Sequence, residues 1–216
     1  MMPDYNKAAT KAAECLIKYN IHSFPVSPLP ILEQMDDVIV VSFAEMSSAS
    51  GYRKRDIMPL FGKNRDAITS VCSDNGRQSY VVVYDGMLPF PLRQRALARE
   101  LGHIVLRHTG CSEENTSEAL CFAAHFLCPR PLVHAIQATC LHLSMDLLAN
   151  LTGIFEQFLF SIRRLPGTVV SSGLNRFVRN QCMPFVLNIF EYYQTALPAD
   201  GSAAVDFGSF MDGYEE

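Results

Sequence analysis

No C-x-x-C pair occurs in this chain, no N-terminal stretch has the apolar core of a secretory leader, and no uninterrupted apolar run nears the ~18 residues that span a bilayer. The first absence argues against a cysteine zinc site. The seven cysteines, at positions 15, 72, 111, 121, 128, 140 and 182, form an odd set that suits reduced, mostly buried thiols better than a disulfide framework. The other two absences lead to the expectation of a soluble cytoplasmic protein without membrane contact. Blocks of like charge and internal repeats are missing as well. From Asn180 onward there is no Lys or Arg, whereas six acids stand there (Glu191, Asp200, Asp206, Asp212, Glu215 and Glu216). That leaves 16 acids against 18 bases in the rest of the chain, a body too close to neutral to leave an electrostatic footprint for a phosphate backbone. Direct nucleic-acid contact is therefore not expected.

What is present is enough for a core. Of 216 residues, 49% are apolar and 19% charged, which suits one domain or one domain with a small appendage. Ala8, Ala12, Cys15, Leu16 and Tyr19 recur at helical spacing and predict a helix over 5–20. Prolines 25, 28 and 30 then impose an extended path before a short helix near Ile31 to Met35. The β-branched run 37–43 reads as a strand and 44–66 as a long loop. Two further strand-like runs flank Asp74-Asn75-Gly76, a favoured hairpin turn. Pro91 suits the first turn of a helix reaching residue 108, which would bury Leu97, Leu101, Ile104 and Val105. Further helices are predicted at 114–128, 131–142, 145–151, 155–165 and 174–196. A helix, a small antiparallel sheet and then helices amount to an α+β chain.

The stretch "LARELGHIVLRH", residues 97–108, lies one letter from H-E-x-x-H. In that motif two histidines four apart bind zinc from one helix face, and the glutamate between them takes a proton from the bound water. Glu100 and His103 hold the base and second-ligand places, Arg99 stands where the first histidine belongs, and Glu118 is the natural third ligand. Taken alone, Glu100 and His103 read as an ordinary charged pair on an exposed helix face, and Glu118 as an acid favouring a helix N-terminus. Cys121 and Cys128 read as small core residues, and His22, His134 and His142 as surface or capping residues. Arg53, Lys54 and Arg55 read either as a solvated loop or as a contact for an acidic partner.

"RQRALARELGHIVLRH" followed by "SEALCFAAHFLCP" resembles the ImmA/IrrE family of metallo-endopeptidases. Its members carry a pattern close to R-x-x-x-A-H-E-L-G-H-x-x-L-x-H and then E-A-x-x-F-A-x-x-x-L-x-P. Upstream, "YNIHSFPVSPLPIL" is similar to the family's G-I-x-x-F-P-V-x-P-x-x-I opening, so the resemblance covers roughly residues 8–131. It implies a zincin-like metallopeptidase domain over 1–131, with a helical, loosely helix-turn-helix-like extension over 132–197; the Gly, Ser and Asp of 198–216 read as an acidic, flexible tail. It also implies a zinc cofactor, Glu100 as the catalytic base, and His103 and Glu118 as zinc ligands. Such proteins are encoded on phages, integrative elements and bacterial chromosomes, and relieve repression by cleaving or antagonising a helix-turn-helix repressor.

Arginine offers only donors and stays charged, so Arg99 cannot ligate zinc. The expectation is that its cation takes the metal's place and pairs with Glu100 or Glu118. His125, seven residues after Glu118 on the same face, is the one rescue ligand considered. His108, five after His103, would lie about 140° around a continuing helix and is set aside. The chain is thus expected to be a degenerate, catalytically impaired member that binds a helix-turn-helix repressor through the old substrate groove. One alternative is an active zinc endopeptidase with a changed ligand set. Another is a regulator contacting DNA through residues 145–165, where Asp146 and Glu156 offset Arg163 and Arg164.

Overall fold

The computed structural model describes residues 2–57, 59, 66–74, 77–110, 112–139, 144–155, 158 and 167–196. Helix α1 (Tyr5–Lys18) starts where the Asp4 carboxylate accepts the backbone N–H of Lys7, and it buries Ala8, Ala9, Ala12, Ala13, Cys15 and Leu16. The extended path expected through all three prolines is corrected: Pro28 and Pro30 lie in the first turn of α2 (Pro28–Glu33), where a missing N–H costs nothing, so the helix starts three residues earlier than expected and ends before Met35. Strand β1 spans Val38–Ser42. Where the segment expected as a loop is described, it is largely helical instead: α3 spans Phe43–Ser50 and a single turn, α4, spans Lys54–Ile57. A capping box starts α3, since the Ser42 hydroxyl accepts from Glu45 N–H while Glu45 accepts from Ser42 N–H. Gly51, at φ 73°, ends it in the left-handed region.

Strands β2 (Ala67–Asp74) and β3 (Arg77–Tyr84) form the expected hairpin, with Asp74 opposite Arg77; residues 75 and 76 lie outside the described residues. The sheet order is β1-β3-β2, and β1 runs parallel to β3, from Val38 beside Tyr80 to Ser42 beside Tyr84. The wholly antiparallel sheet is therefore corrected to a mixed one. A parallel neighbour cannot follow through a tight turn, and here the chain reaches β3 from β1 only by way of residues 43–66 and strand β2. Side chains alternate across the strands. Tyr80 and Val82 face the main core, whereas Val83, Val41, Ile68 and Val81 pack with Phe43 and Met46 on the α3 side. Thr69 stands opposite Val82, which puts it on the core face, toward helix α5.

Helix α5 (Phe90–Val105) buries Leu97, Leu101 and Ile104 as the periodicity requires, while Val105 is half-buried. It stops three residues short of the predicted end. Helix α6 (Glu113–Leu127) is capped by the Ser112 hydroxyl and crosses α5 at Gly102. A Cβ at Gly102 would come within 3.0 Å of the Phe122 ring and 3.1 Å of Ala119 O, so any side chain there would press α6 away by a few tenths of an ångström. Pro129 separates α6 from α7 (Arg130–Thr139). By length and composition Glu113–Thr139 could cross a membrane, yet 72% of its most apolar window is buried inside the protein. Helix α8 (Met145–Thr152) ends at Gly153, φ 63°, packed on Pro25 and Phe90. Helix α9 (Ser172–Ala196) lays Val178, Cys182, Phe185, Val186 and Ile189 into the core, and its Gln181 amide donates to Leu16 O and Ile21 O.

One buried cluster runs from Ala8 through Leu101 and Phe122 to Ile189, so the C-terminal helices share the core of the N-terminal half. Four of the five described cysteines (15, 121, 128 and 182) are buried, and burial pushes their thiols up to about 12; Cys72 is exposed. Cys111, Cys140, most of the predicted helix over 155–165 with its helix-turn-helix-like run, and the acidic tail lie outside the described residues.

Candidate functional site

Helix α5 carries Arg99, Glu100 and His103 to the side where β2 and α6 converge. Arg99 Nε and Nη2 both donate to Glu100 Oε1, at 2.9 and 2.7 Å, and Nη2 also donates to Ala67 O at 2.8 Å. The Thr69 hydroxyl donates to Glu100 Oε2 at 2.8 Å. Both carboxylate oxygens are thus occupied. Glu100 is buried, its side chain 4% exposed, and Arg99 is partly buried, its side chain 13% exposed. Burial pushes the Glu100 carboxyl above its usual range, against the pull of the Arg99 guanidinium and the Thr69 hydroxyl. Arg99 therefore pairs with Glu100, one of the two partners expected. Glu118 is engaged elsewhere.

The end of α5 explains where Glu118 goes. Leu106 is the last cap residue, and Arg107 takes the left-handed conformation at φ 57°. Arg107 N–H donates to Ile104 O and His108 N–H to His103 O, both at 3.0 Å, the two bonds of a Schellman end. That motif sets the residue after the left-handed position against the residue five before it, usually through an apolar contact. Here the two are His108 and His103, with Nδ1 to Nδ1 at 3.0 Å and rings edge to face at 5.1 Å. His108 Nε2 reaches Glu118 Oε2 at 3.1 Å, and Glu118 Oε1 accepts the backbone N–H of Asp4 at 2.8 Å. Setting His108 aside is thus corrected: the 140° argument assumes a helix that continues, and the chain reverses at Arg107. Burial, with help from His108 and Arg99, pushes His103 down to about 4, so its ring is neutral at pH 7. Of the two facing Nδ1 atoms one donates and the other accepts, the direction being set by the tautomer of each ring.

His125 is not brought to this cluster. Seven residues along α6 is a rise of about 10 Å, and its Nε2 meets the Thr168 hydroxyl at 3.0 Å. Burial, with Arg130 nearby, pushes its ring down to about 4. Three contributors escaped sequence reasoning: Thr69, the Ala67 carbonyl and the Asp4 amide. Alternation along β2 would have put Thr69 and Ala67 on one face, but only the strand register sets them against α5. Nothing in the residues around Asp4 signals its contact with a helix more than a hundred positions away.

The donor set does not fit zinc. Arg99 contributes a cation at the first-ligand place, and Glu100 has no free oxygen. His108 turns one ring nitrogen to His103 and the other to Glu118. Those nitrogens diverge, so no single point lies within a zinc bond length, about 2.1 Å, of all three side chains. Among the described residues no group of three or more His, Cys, Asp or Glu side chains is arranged to hold a metal. No family model, curated protein or solved structure matches the chain.

Proposed function

We propose that this chain is a degenerate, zincin-like member of the ImmA/IrrE metallo-endopeptidase family that regulates a helix-turn-helix repressor by binding it. One observation carries the reading. The residue at the first zinc-ligand position is an arginine whose guanidinium is bonded to the glutamate at the catalytic-base position. A base whose two oxygens already accept two N–H bonds and a hydroxyl is committed to protein donors, and the adjoining guanidinium lowers its basicity toward a water. A cation at that place also repels a second cation. With the base and the first ligand tied together, hydrolysis has no activated nucleophile, and what remains is a surface that binds. Zinc at stoichiometric levels is not part of this reading, and neither is direct contact with DNA.

Metal analysis of the purified full chain after zinc loading and desalting is the first test. The expected result is far below one zinc per chain in the parent and a clear gain in Arg99→His. Stoichiometric zinc in the parent sinks the reading in favour of an active endopeptidase with a changed ligand set. The second test co-expresses the chain with a helix-turn-helix repressor and a reporter under its operator. Relief of repression with the repressor still full length on a gel is expected, and repressor fragments would mark proteolysis.

A further inference from the structure

Away from that cluster, a cavity of about 560 Å³ opens between α1, the junction of α6 and α7, and the N-terminal half of α9. Its size falls in the range of small-molecule sites, ~300–1,000 Å³. Three arginines line it: Arg130 at the start of α7, and Arg176 with Arg179 one turn apart on α9. Among the described residues no Asp or Glu lines it, although the chain as a whole carries a net charge of -4. Among the described residues none of the three guanidiniums is in an ion pair. Arg130 Nη1 donates to Thr168 O at 3.3 Å, its one hydrogen bond among the described residues, against the five N–H groups a guanidinium carries. Like charges gathered without counter-charges cost free energy through mutual repulsion, and a bound anion removes that cost.

The rest of the cavity is built to a different specification. Ala9, Ala13 and Val178, each under 9% exposed, supply an apolar wall. The segment carrying Thr168 and Val169 is held from two sides. His125 Nε2 meets the Thr168 hydroxyl at 3.0 Å, and the Val169 N–H donates to Asn6 Oδ1 at 2.8 Å. An arginine-lined mouth on an apolar, pinned wall suits an anion with an apolar body. We infer that this cavity binds a small organic phosphate, its phosphoryl oxygens on Arg130, Arg176 and Arg179 and its carbon body against Ala9, Ala13 and Val178. Guanidinium forks match phosphate oxygens bidentately, which is why arginine suits the role better than lysine would. The site is independent of Arg99 and Glu100, so it stands whether or not the metallopeptidase reading does.

The test is calorimetric titration of the full chain with phenyl phosphate, inorganic phosphate and sulfate at one ionic strength. Saturable binding of phenyl phosphate is expected, tighter than inorganic phosphate, with sulfate weaker than both. Arg176→Gln/Arg179→Gln, two exposed positions, should weaken it by about tenfold or more, the equivalent of ~1.4 kcal/mol. Arg53→Gln/Arg55→Gln, an exposed basic pair elsewhere, should change it by less than about twofold. The proposal is overturned if phenyl phosphate binds no more tightly than sulfate, or if the Arg176/Arg179 variant binds as the parent does. It is also overturned if an Asp/Glu-rich peptide binds at this cavity and phenyl phosphate cannot displace it. Unchanged circular dichroism of both variants shows that lost binding is not lost folding.

Discussion

Replacing Arg99 by methionine keeps an unbranched, apolar stem and removes the cation from beside a carboxylate that is only 4% exposed. Glu100 Oε1 then loses both guanidinium contacts, and Ala67 O loses a donor at 2.8 Å. Removing one partner of a buried pair costs about 3–5 kcal/mol, because the other charge is left without compensation. For a chain of this size that is a fall of roughly 6–20 °C in Tm. The sign of the pH dependence follows from Glu100. Burial already raises its folded pKa above 4.5, so its contribution to stability is fully present below the unfolded pKa and is lost as pH rises through the folded one. Without Arg99 that folded pKa moves further up. The cost of Arg99→Met should therefore be small near pH 4 and large at pH 8. The assay is urea unfolding of the parent, Arg99→Met, Glu100→Gln and the double variant at both pH values. The double variant should recover more than half of the single variant's loss at pH 8, a coupling of about 2 kcal/mol. Equal losses at the two pH values, or a double variant as unstable as Arg99→Met, would refute the reasoning.

Two glycines separate backbone strain from collision. Gly51 and Gly153 both sit at positive φ, but a Cβ at Gly51 meets nothing within 4 Å, whereas one at Gly153 would lie 2.6 Å from Pro25 Cβ. In thermal melts Gly51→Ala should cost about 1–2 kcal/mol, and Gly153→Ala should add the ~1–3 kcal/mol of overpacking; equal losses would contradict this. A third prediction concerns acid. His103 and His125 are both pushed down to about 4 from 6.5, so their contribution is complete above pH 6.5 and is lost as pH falls toward 4, opposite in sense to Glu100. His103→Gln and His125→Gln should each flatten the acid limb of the urea midpoint between pH 6.5 and 4; an unchanged limb in both contradicts the burial argument.

The elements that sequence displayed best were those built on local rules. Helices α1, α5 and α6 follow from apolar spacing, and the β2–β3 hairpin follows from its turn residues. Helix α3 was equally local and was overlooked, because the Ser, Gly and charge of 44–66 outweighed the capping pair Ser42 and Glu45. The parallel β1–β3 pairing was beyond local reading, since it depends on where a crossover returns the chain. The site divides in the same way. Adjacency on α5 made the Arg99–Glu100 pair readable. The place of His108 hung on a left-handed arginine, a conformation that no residue type at 107 announces. Thr69, Ala67 and Asp4 enter through tertiary contacts with separations of 31, 32 and 114 residues, which spacing arguments do not reach.

The bond from Arg99 to Ala67 O fastens helix α5 to strand β2 with a cation that the chain synthesises as part of itself. A helix and a strand joined through a bound ion are only as durable as the supply of that ion, and chelation or starvation loosens them. A guanidinium is installed at translation, in a ratio of one to one, and cannot be scavenged. The join between this helix and this strand is therefore set by protein synthesis alone and draws on no bound ion.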